Sequence, residues 1–271
     1  MKRLITLALF ALLAIAQPVS AQWAWMQQSG YGSGSCASGC ALGNDAQTVL
    51  LIHSNTTDGS TTFYDSGKEA SCPHGPFTVA GDTHHETSQF KFGTSSIQFD
   101  GTGDYLTIPN NADWDQGAAW TLDFWIWISS SASWQHIIGN ADGYTSGLND
   151  EGWSISYNLS VGGYKIVFYQ TDNGSAQYEV RYNPTLSLNT WYHFAFVYDG
   201  SMKFYIDGVQ EASVGGSGAY SSALTSSNPL AIGREPGQIS GHFNGYLDEI
   251  RISKVARWTA NFAKPTQPYC D

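Results

Sequence analysis

The sequence is short of charge. Of its 271 residues 13% are Asp, Glu, Lys or Arg, and the basic share is 12 residues against 23 acids. So few cations cannot neutralise a run of phosphates or sulfates. That excludes nucleic acid, anionic membrane and anionic polysaccharide as partners held by broad charge attraction. After residue 16 no stretch is long and apolar enough to cross a bilayer, and no convincing amphipathic helix appears. There is no Cys-x-x-Cys pair, so the usual spacing of a zinc site is missing. There is no Gly-x-Ser-x-Gly, so the nucleophile elbow of a serine hydrolase is missing too.

What is present begins with an address. Lys2 and Arg3 precede an apolar run over residues 4–16, and Val19-Ser20-Ala21 supplies the small-x-small pattern of a signal-peptidase site. The run is 13 residues long, short of the roughly 20 a membrane span needs. Residues 1–21 therefore read as a signal peptide, Gln22 as the mature N-terminus, and the product as secreted. Cleavage removes Lys2 and Arg3 and no acid, leaving 10 bases against 23 acids, a net −13. The surplus carboxylates are material for a divalent cation or simply a solvated surface. Export also places Cys36, Cys40, Cys72 and Cys270 in an oxidising compartment, where disulfides are expected. Four cysteines allow three pairings. If Cys36 closes onto Cys40, Cys72 meets Cys270 and ties the chain end to an early part of the domain.

Residues 22–47 form a Gly/Ser-rich leader containing Cys36 and Cys40, and the domain runs over 48–271. Aromatics reach 14% and glycines number 29, a composition suited to many short strands joined by tight turns. Strand-like runs fall at 49–53, 95–100, 104–109, 121–128, 134–138, 152–158, 164–170, 178–182, 191–198, 202–206, 230–233 and 246–252. Period-2 alternation sets Leu122, Phe124, Ile126 and Ile128 on one face and Trp125 and Trp127 on the other. Trp191 and Phe194 are expected to fill the space between sheets. Asp199-Gly200 and Asp207-Gly208 have the positive-φ chemistry of hairpin turns. His84-His85-Glu86 reads as a polar loop, and Lys254-Val-Ala-Arg257 as a single helical turn. In 247–252, simple alternation places Asp248 beside Ile250 and Ile252, an awkward position for a carboxylate without a partner.

Several segments, in order, resemble a known family. They are Leu50-Leu-Ile-His53 with Thr57-Asp-Gly-Ser-Thr-Thr-Phe63 and Asp65, then Phe92-Gly-Thr-Ser-Ser-Ile-Gln-Phe-Asp-Gly101 with Asp104-Tyr-Leu106. Leu122-Asp-Phe-Trp125, Trp191-Tyr-His-Phe-Ala195, Tyr198-Asp-Gly200, Tyr205-Ile-Asp-Gly208 and Ile232-Gly233 follow. Gly245-Tyr-Leu-Asp-Glu-Ile-Arg-Ile-Ser253, Val255-Ala-Arg-Trp-Thr-Ala-Asn-Phe262 and Pro265-Thr266 close the set. Together they resemble the laminin G-like, concanavalin A-like domain of bacterial secreted and cell-surface proteins, phage structural proteins and pentraxin relatives. The resemblance covers roughly residues 48–269. It implies an all-β fold: a two-sheet antiparallel jelly-roll sandwich.

The resemblance also implies chemistry. Such domains often hold one structural calcium where the first strand's turn meets the last strand. Those positions are Asn55, Asp58 and Asp248 here, with Asn55 standing where an aspartate is usual. Oxygen donors suit a hard cation, and the alternative for Asn55 and Asp58 is ordinary turn residues. Asp142 and Asp150-Glu151 form a second acidic cluster that no motif assigns. Retaining glucanases of the wider superfamily need Glu-x-Asp-x-x-Glu on one strand, and that spacing is absent. Tyr164-Lys-Ile-Val-Phe-Tyr-Gln170 and Gln135-His136 echo alginate lyases, but the adjacent pair cannot share a cleft and the Arg-x-Glu strand is missing. The expectation is a non-catalytic, carbohydrate- or glycoconjugate-binding module with a structural calcium. A structural or adhesive protein that binds another protein is the alternative, with Trp23 and Trp25 of the leader as its contact. A divergent glycan-cleaving enzyme is a third. Trp114, Trp134, Tyr144, Trp153, Tyr220 and Trp258 lie near loops where a sugar ring could stack.

Overall fold

The computed structural model describes residues 45–67, 74–131, 134–141, 151–158, 165–172 and 175–270. The signal segment, Cys36, Cys40, Cys72, Asp142, Tyr144, Asp150, Tyr164 and nearly all of the leader lie outside them.

The described residues fold as two antiparallel sheets. In chain order the strands are β1 Thr48–Ile52, β2 Thr78–Ala80, β3 His84–Glu86, β4 Ser96–Asp100, β5 Tyr105–Ile108, β6 Trp120–Ile128, β7 Gln135–Gly139 and β8 Gly152–Tyr157. They continue with β9 Ile166–Asp172, β10 Ser175–Tyr182, β11 Trp191–Tyr198, β12 Met202–Ile206, β13 Val209–Glu211, β14 Ser213–Gly218, β15 Leu230–Ile232 and β16 Asn244–Ser253. The first sheet has the order β13-β12-β11-β6-β16-β4-β3, with β1 also paired to β16. The second runs β14-β10-β9-β8-β7-β15-β5-β2. Among the described residues the one helical element is a 3-10 turn, Ala112–Trp114. This is the two-sheet antiparallel jelly-roll sandwich that the sequence predicts. No helix among the described residues is long and apolar enough to cross a membrane.

The core is made by alternation. Leu122, Phe124, Ile126 and Ile128 of β6 meet Phe194 and Phe196 of β11, Phe168 of β9 and Ile155 of β8 in one continuous apolar cluster. Burial of that area, at about 25 cal/mol per Å², is what opposes the chain's conformational entropy. The Asp207-Gly208 turn joins β12 to β13 with φ of 53° and 81°, the two positive values of a tight hairpin.

Three local expectations change. Residues 84–86 are a strand rather than a loop, pairing with β4; His85 turns inward and His84 outward, as neighbours on a strand must. Residues 254–257 form no helical turn. In β16 a bulge between Asp248 and Arg251, with Glu249 at φ 52°, resets the alternation. Ile250 and Ile252 therefore join Leu247 in the core, and Arg251 lies on the outer face with Asp123. Glu249 is held in its unusual backbone state by His53 Nδ1, 2.7 Å from its carboxylate, and by the Tyr269 N–H, which donates to it at 2.6 Å.

Candidate functional site

The outer face of the first sheet is in part covered. Asp123, His193 and Arg251 lie there, fully buried, with Trp258, Phe262 and Tyr269 of the C-terminal segment packed against them. Trp125 is buried as well, with the Lys91 ammonium 4.1 Å from its ring centre and Phe92 at its edge.

One row of the face remains partly open. Trp191 on β11 pairs in register with Trp127 on β6, Trp127 with Tyr246 on β16, Tyr246 with Gln98 on β4, and Gln98 with His84 on β3. All five are half-buried. Strands lie about 4.8 Å apart, so four steps make a strip about 19 Å long. The Trp127 and Trp191 rings meet edge to face, with centres 5.9 Å apart. None of the three aromatics belongs to an apolar cluster of the core. The expectation that Trp191 fills the core is thus corrected. Trp191 and Phe194 are three apart on a strand, so they face opposite ways, and only Phe194 is inside. At the far end Glu86 lies 3.8 Å from His84. Burial raises the Tyr246 phenol above its ordinary value, and the Glu86 charge adds to the effect. The strip offers ring faces, one amide and one imidazole.

The expected loop aromatics are mostly structural. Trp114 and Trp153 are buried, and Trp153 donates from its indole to the Trp114 carbonyl at 2.8 Å. Trp258 stacks on Phe262, and Tyr220 stacks on Tyr198. Gln135 and His136 diverge: Gln135 binds the Ser130 carbonyl and the Asn244 N–H, while His136 Nδ1 meets the Ser156 hydroxyl at 2.9 Å.

The residues expected to ligate calcium each hold backbone. Asp248 Oδ2 accepts from the N–H of Lys91 and Phe92, and Oδ1 from that of Glu249. Asn55 Oδ1 accepts from the Thr94 N–H at 3.2 Å. Asp58 Oδ1, on the surface, accepts from the Thr87 N–H and hydroxyl. Asn55 and Asp248 thus grip the same 91–94 loop, whereas Asp58 grips the end of β3. Burial pushes the Asp248 carboxyl well up, with the Glu249 charge adding to the rise against the two backbone donors. Elsewhere Asp82, Asp100 and Asp104 bring one carboxylate oxygen each within 4.8 Å of the others. Asp104 there accepts the N–H of Asp82 and Asp100, both at 2.8 Å, and burial first of all lifts its carboxyl to about 6. Nothing in the sequence marked this group, since its members come from two separate turns. Cys270 is the one cysteine among the described residues, half-buried at the chain's end.

A family model described as the concanavalin A-like lectin/glucanases superfamily matches residues 100–261. No curated protein matches the chain by sequence. Among solved structures, the chain is similar to domain 4 of AbnA, an extracellular arabinanase from Geobacillus stearothermophilus, in complex with arabinotriose. The identity is 17%, the TM-score 0.56, and the match covers 78% of this chain and 93% of that one. It is also similar to the ligand-binding domain of botulinum neurotoxin serotype D in complex with N-acetylneuraminic acid, at 15% identity and TM-score 0.54. That match covers 78% of this chain and 48% of the neurotoxin chain, so the likeness spans about half the neurotoxin domain's length. At such identities the likeness is one of fold.

Proposed function

The chain belongs to the concanavalin A-like lectin/glucanase superfamily, and from that premise we propose that it is a secreted, non-catalytic module that binds carbohydrate along the Trp191–Trp127–Tyr246 strip. The observation that carries this reading is the register itself. Three aromatics, an amide and an imidazole occupy one cross-strand row, left half-open beside the buried row of His193, Trp125, Asp248 and Ser96. Sugar rings carry apolar C–H faces that pack on aromatic rings, and hydroxyl edges that bond to amide and imidazole groups. The strip holds no basic residue, which favours a neutral chain. The sugar ligands of the two similar structures support the ligand class.

Catalysis is left out of the reading because the sequence lacks the Glu-x-Asp-x-x-Glu strand of the superfamily's retaining glucanases. A structural calcium belongs to the reading, with Asp248, Asp58 and Asn55 as the residues that would hold it. Oxygens that accept a backbone N–H keep a further lone pair, and a cation there would offset the burial of the Asp248 carboxylate. In the same reading the cysteines are oxidised.

The test is a glycan array and affinity electrophoresis of the mature chain, with and without a calcium chelator. Trp127→Ala and Trp191→Ala are each expected to cost about 2 kcal/mol of binding, roughly thirty-fold in Kd, with the melting temperature nearly unchanged. Silence on every neutral glycan, together with capture of a protein partner, would replace this reading with that of an adhesive protein.

A further inference from the structure

The two tryptophans of the strip are not parallel. Trp127 and Trp191 pair across β6 and β11 with ring centres 5.9 Å apart and planes inclined at 60°. The backbones beneath them are locked. Asn189, in the left-handed region at φ 55°, donates its N–H to the Ile128 carbonyl at 2.9 Å. The Ser129 N–H donates to the Asn244 carbonyl at 3.0 Å. The Trp191 indole nitrogen is itself buried, so one edge of that ring is held by protein. Close packing there opposes a swing into the plane of Trp127.

A shoulder runs along one side of the strip. Trp125 lies on the same face as Trp127, two residues and so about 7 Å along β6. Asp248, paired with Trp125 in register, accepts the N–H groups of Lys91 and Phe92 and holds that segment above the face. The Lys91 ammonium sits 4.1 Å from the Trp125 ring centre, and Phe90 beside it is exposed. The strip is therefore a ledge at the foot of residues 90–92 rather than part of an open plane. Among the described residues, none accepts from or donates to the Gln98 amide or the Tyr246 hydroxyl. Both stay available to the hydroxyl edge of a ligand.

Two rings inclined at 60° cannot both lie against one flat ligand. A flat face, such as crystalline cellulose or chitin presents, would stack on one ring and strike the other, and the shoulder would hold it off. On the premise that the strip binds glycan, we propose that its ligand is a single chain whose successive rings turn out of one plane: a three-fold, β-1,4-linked pentosan. In a two-fold chain each ring is half a turn from the last, so all ring faces are parallel. In a three-fold chain each is a third of a turn from the last, and successive planes are inclined as the two indoles are. The indole centres stand about one sugar residue apart, so neighbouring residues of such a chain stack on Trp191 and Trp127 in turn. A pentose ring carries no exocyclic hydroxymethyl group. Its faces are therefore clear for aromatic rings that are themselves half sunk in the sheet.

The experiment is a calorimetric titration of the mature chain with xylohexaose and with cellohexaose. Both are neutral and β-1,4-linked, and they differ in the hydroxymethyl group and in twist. A depletion assay on crystalline cellulose and on chitin powder runs beside it. Xylohexaose is expected to bind about ten-fold tighter than cellohexaose, and neither powder to take the protein from solution. Trp191→Ala leaves one ring at this step. It is expected to weaken xylohexaose and bring the two hexaoses to about equal affinity, whereas a merely structural role would weaken both alike. If that variant does not fold, the wild-type preference still decides. Cellohexaose bound as well as xylohexaose, adsorption to either powder, or binding to other glycans alone would overturn the proposal and leave the strip a glycan site. A preference for xylohexaose retained in both Trp127→Ala and Trp191→Ala would overturn it too. Silence on every neutral glycan would remove the reading of the strip itself, and the proposal with it.

Discussion

Arg251 donates through Nε and Nη2 to the two carboxylate oxygens of Asp123, at 2.9 and 3.1 Å, and both side chains are completely buried. Arg251 Nη2 also donates to the Tyr269 hydroxyl at 3.1 Å, and that hydroxyl bonds to Asp123 in turn. His193 Nε2 lies 3.3 Å from the same carboxylate. The network ties β6, β11 and β16 to the C-terminal segment, and closes the half of the outer face that the aromatic strip leaves aside.

Breaking this pair leaves a buried charge with no counter-ion. Arg251→Met is expected to destabilise the domain by about 3–5 kcal/mol, read by urea denaturation at pH 7. Combining it with Asp123→Leu is expected to cost less than the single change, because no charge is then stranded.

Burial opposes ionisation of Asp123, but the Arg251 charge and the His193 hydrogen bond outweigh it and hold the carboxyl down at about 2. A depressed folded-state pKa contributes stability above the ordinary aspartate value of about 3.9, and that stability is lost as pH falls through the folded value. Acid unfolding is expected to steepen between about pH 4 and pH 2, and to lose that steepness in Asp123→Leu/Arg251→Met. Circular dichroism against pH reads it.

His74 bridges two acids. Its Nδ1 is 2.7 Å from Asp65 and its Nε2 3.1 Å from Asp113, with Trp114 against the ring. Burial pulls its pKa down, but the two carboxylates together outweigh burial and raise it above the ordinary histidine value. A raised folded-state pKa means that the stabilisation is full below about pH 6.5 and declines as pH rises through the folded value. A histidine titration by NMR is expected to show His74 losing its proton above the ordinary value. His74→Ala is expected to cost about 1–3 kcal/mol at pH 6, since buried Asp65 loses its imidazole donor.

Gly208 supports the C-terminal segment directly. Its φ is 81°, and a Cβ there would come within 1.9 Å of the Phe262 carbonyl oxygen. Phe262 N–H donates to the Gly208 carbonyl at 2.9 Å. Gly208→Ala is expected to destabilise by about 2 kcal/mol or more through strain and displacement of this segment. Gly200→Ala, with nothing near the added carbon, is expected to cost less. Paired thermal melts compare them.

The strands that carry the core were legible because their signal is local. Twelve runs of alternating or apolar residues coincide with β1, β4 to β12, β15 and β16. The strands that escaped, β2, β3 and β14, have three to six residues and bury little, whereas β13 follows from the hairpin turn at Asp207-Gly208. Their pairing with neighbours, not their composition, makes them strands. The bulge in β16 escaped for a related reason. Alternation read along one strand cannot see that two residues of β16 oppose one of β6.

The sequence by itself determined the class of molecule. Sparse charge, abundant aromatics, Asp-Gly turns and period-2 alternation admit a sandwich or a barrel, the family resemblance favours the sandwich, and the alternation sets Trp127 on the face opposite Leu122 and Phe124. Which outward residues stand side by side was decided only by the tertiary structure. Trp191, Trp127, Tyr246, Gln98 and His84 are scattered between positions 84 and 246, and they form one row because strand order and register bring five distant segments together. The 60° between the Trp127 and Trp191 rings depends on the same fact. The attitude of a ring is set by its neighbours in space, which no local pattern along the chain encodes.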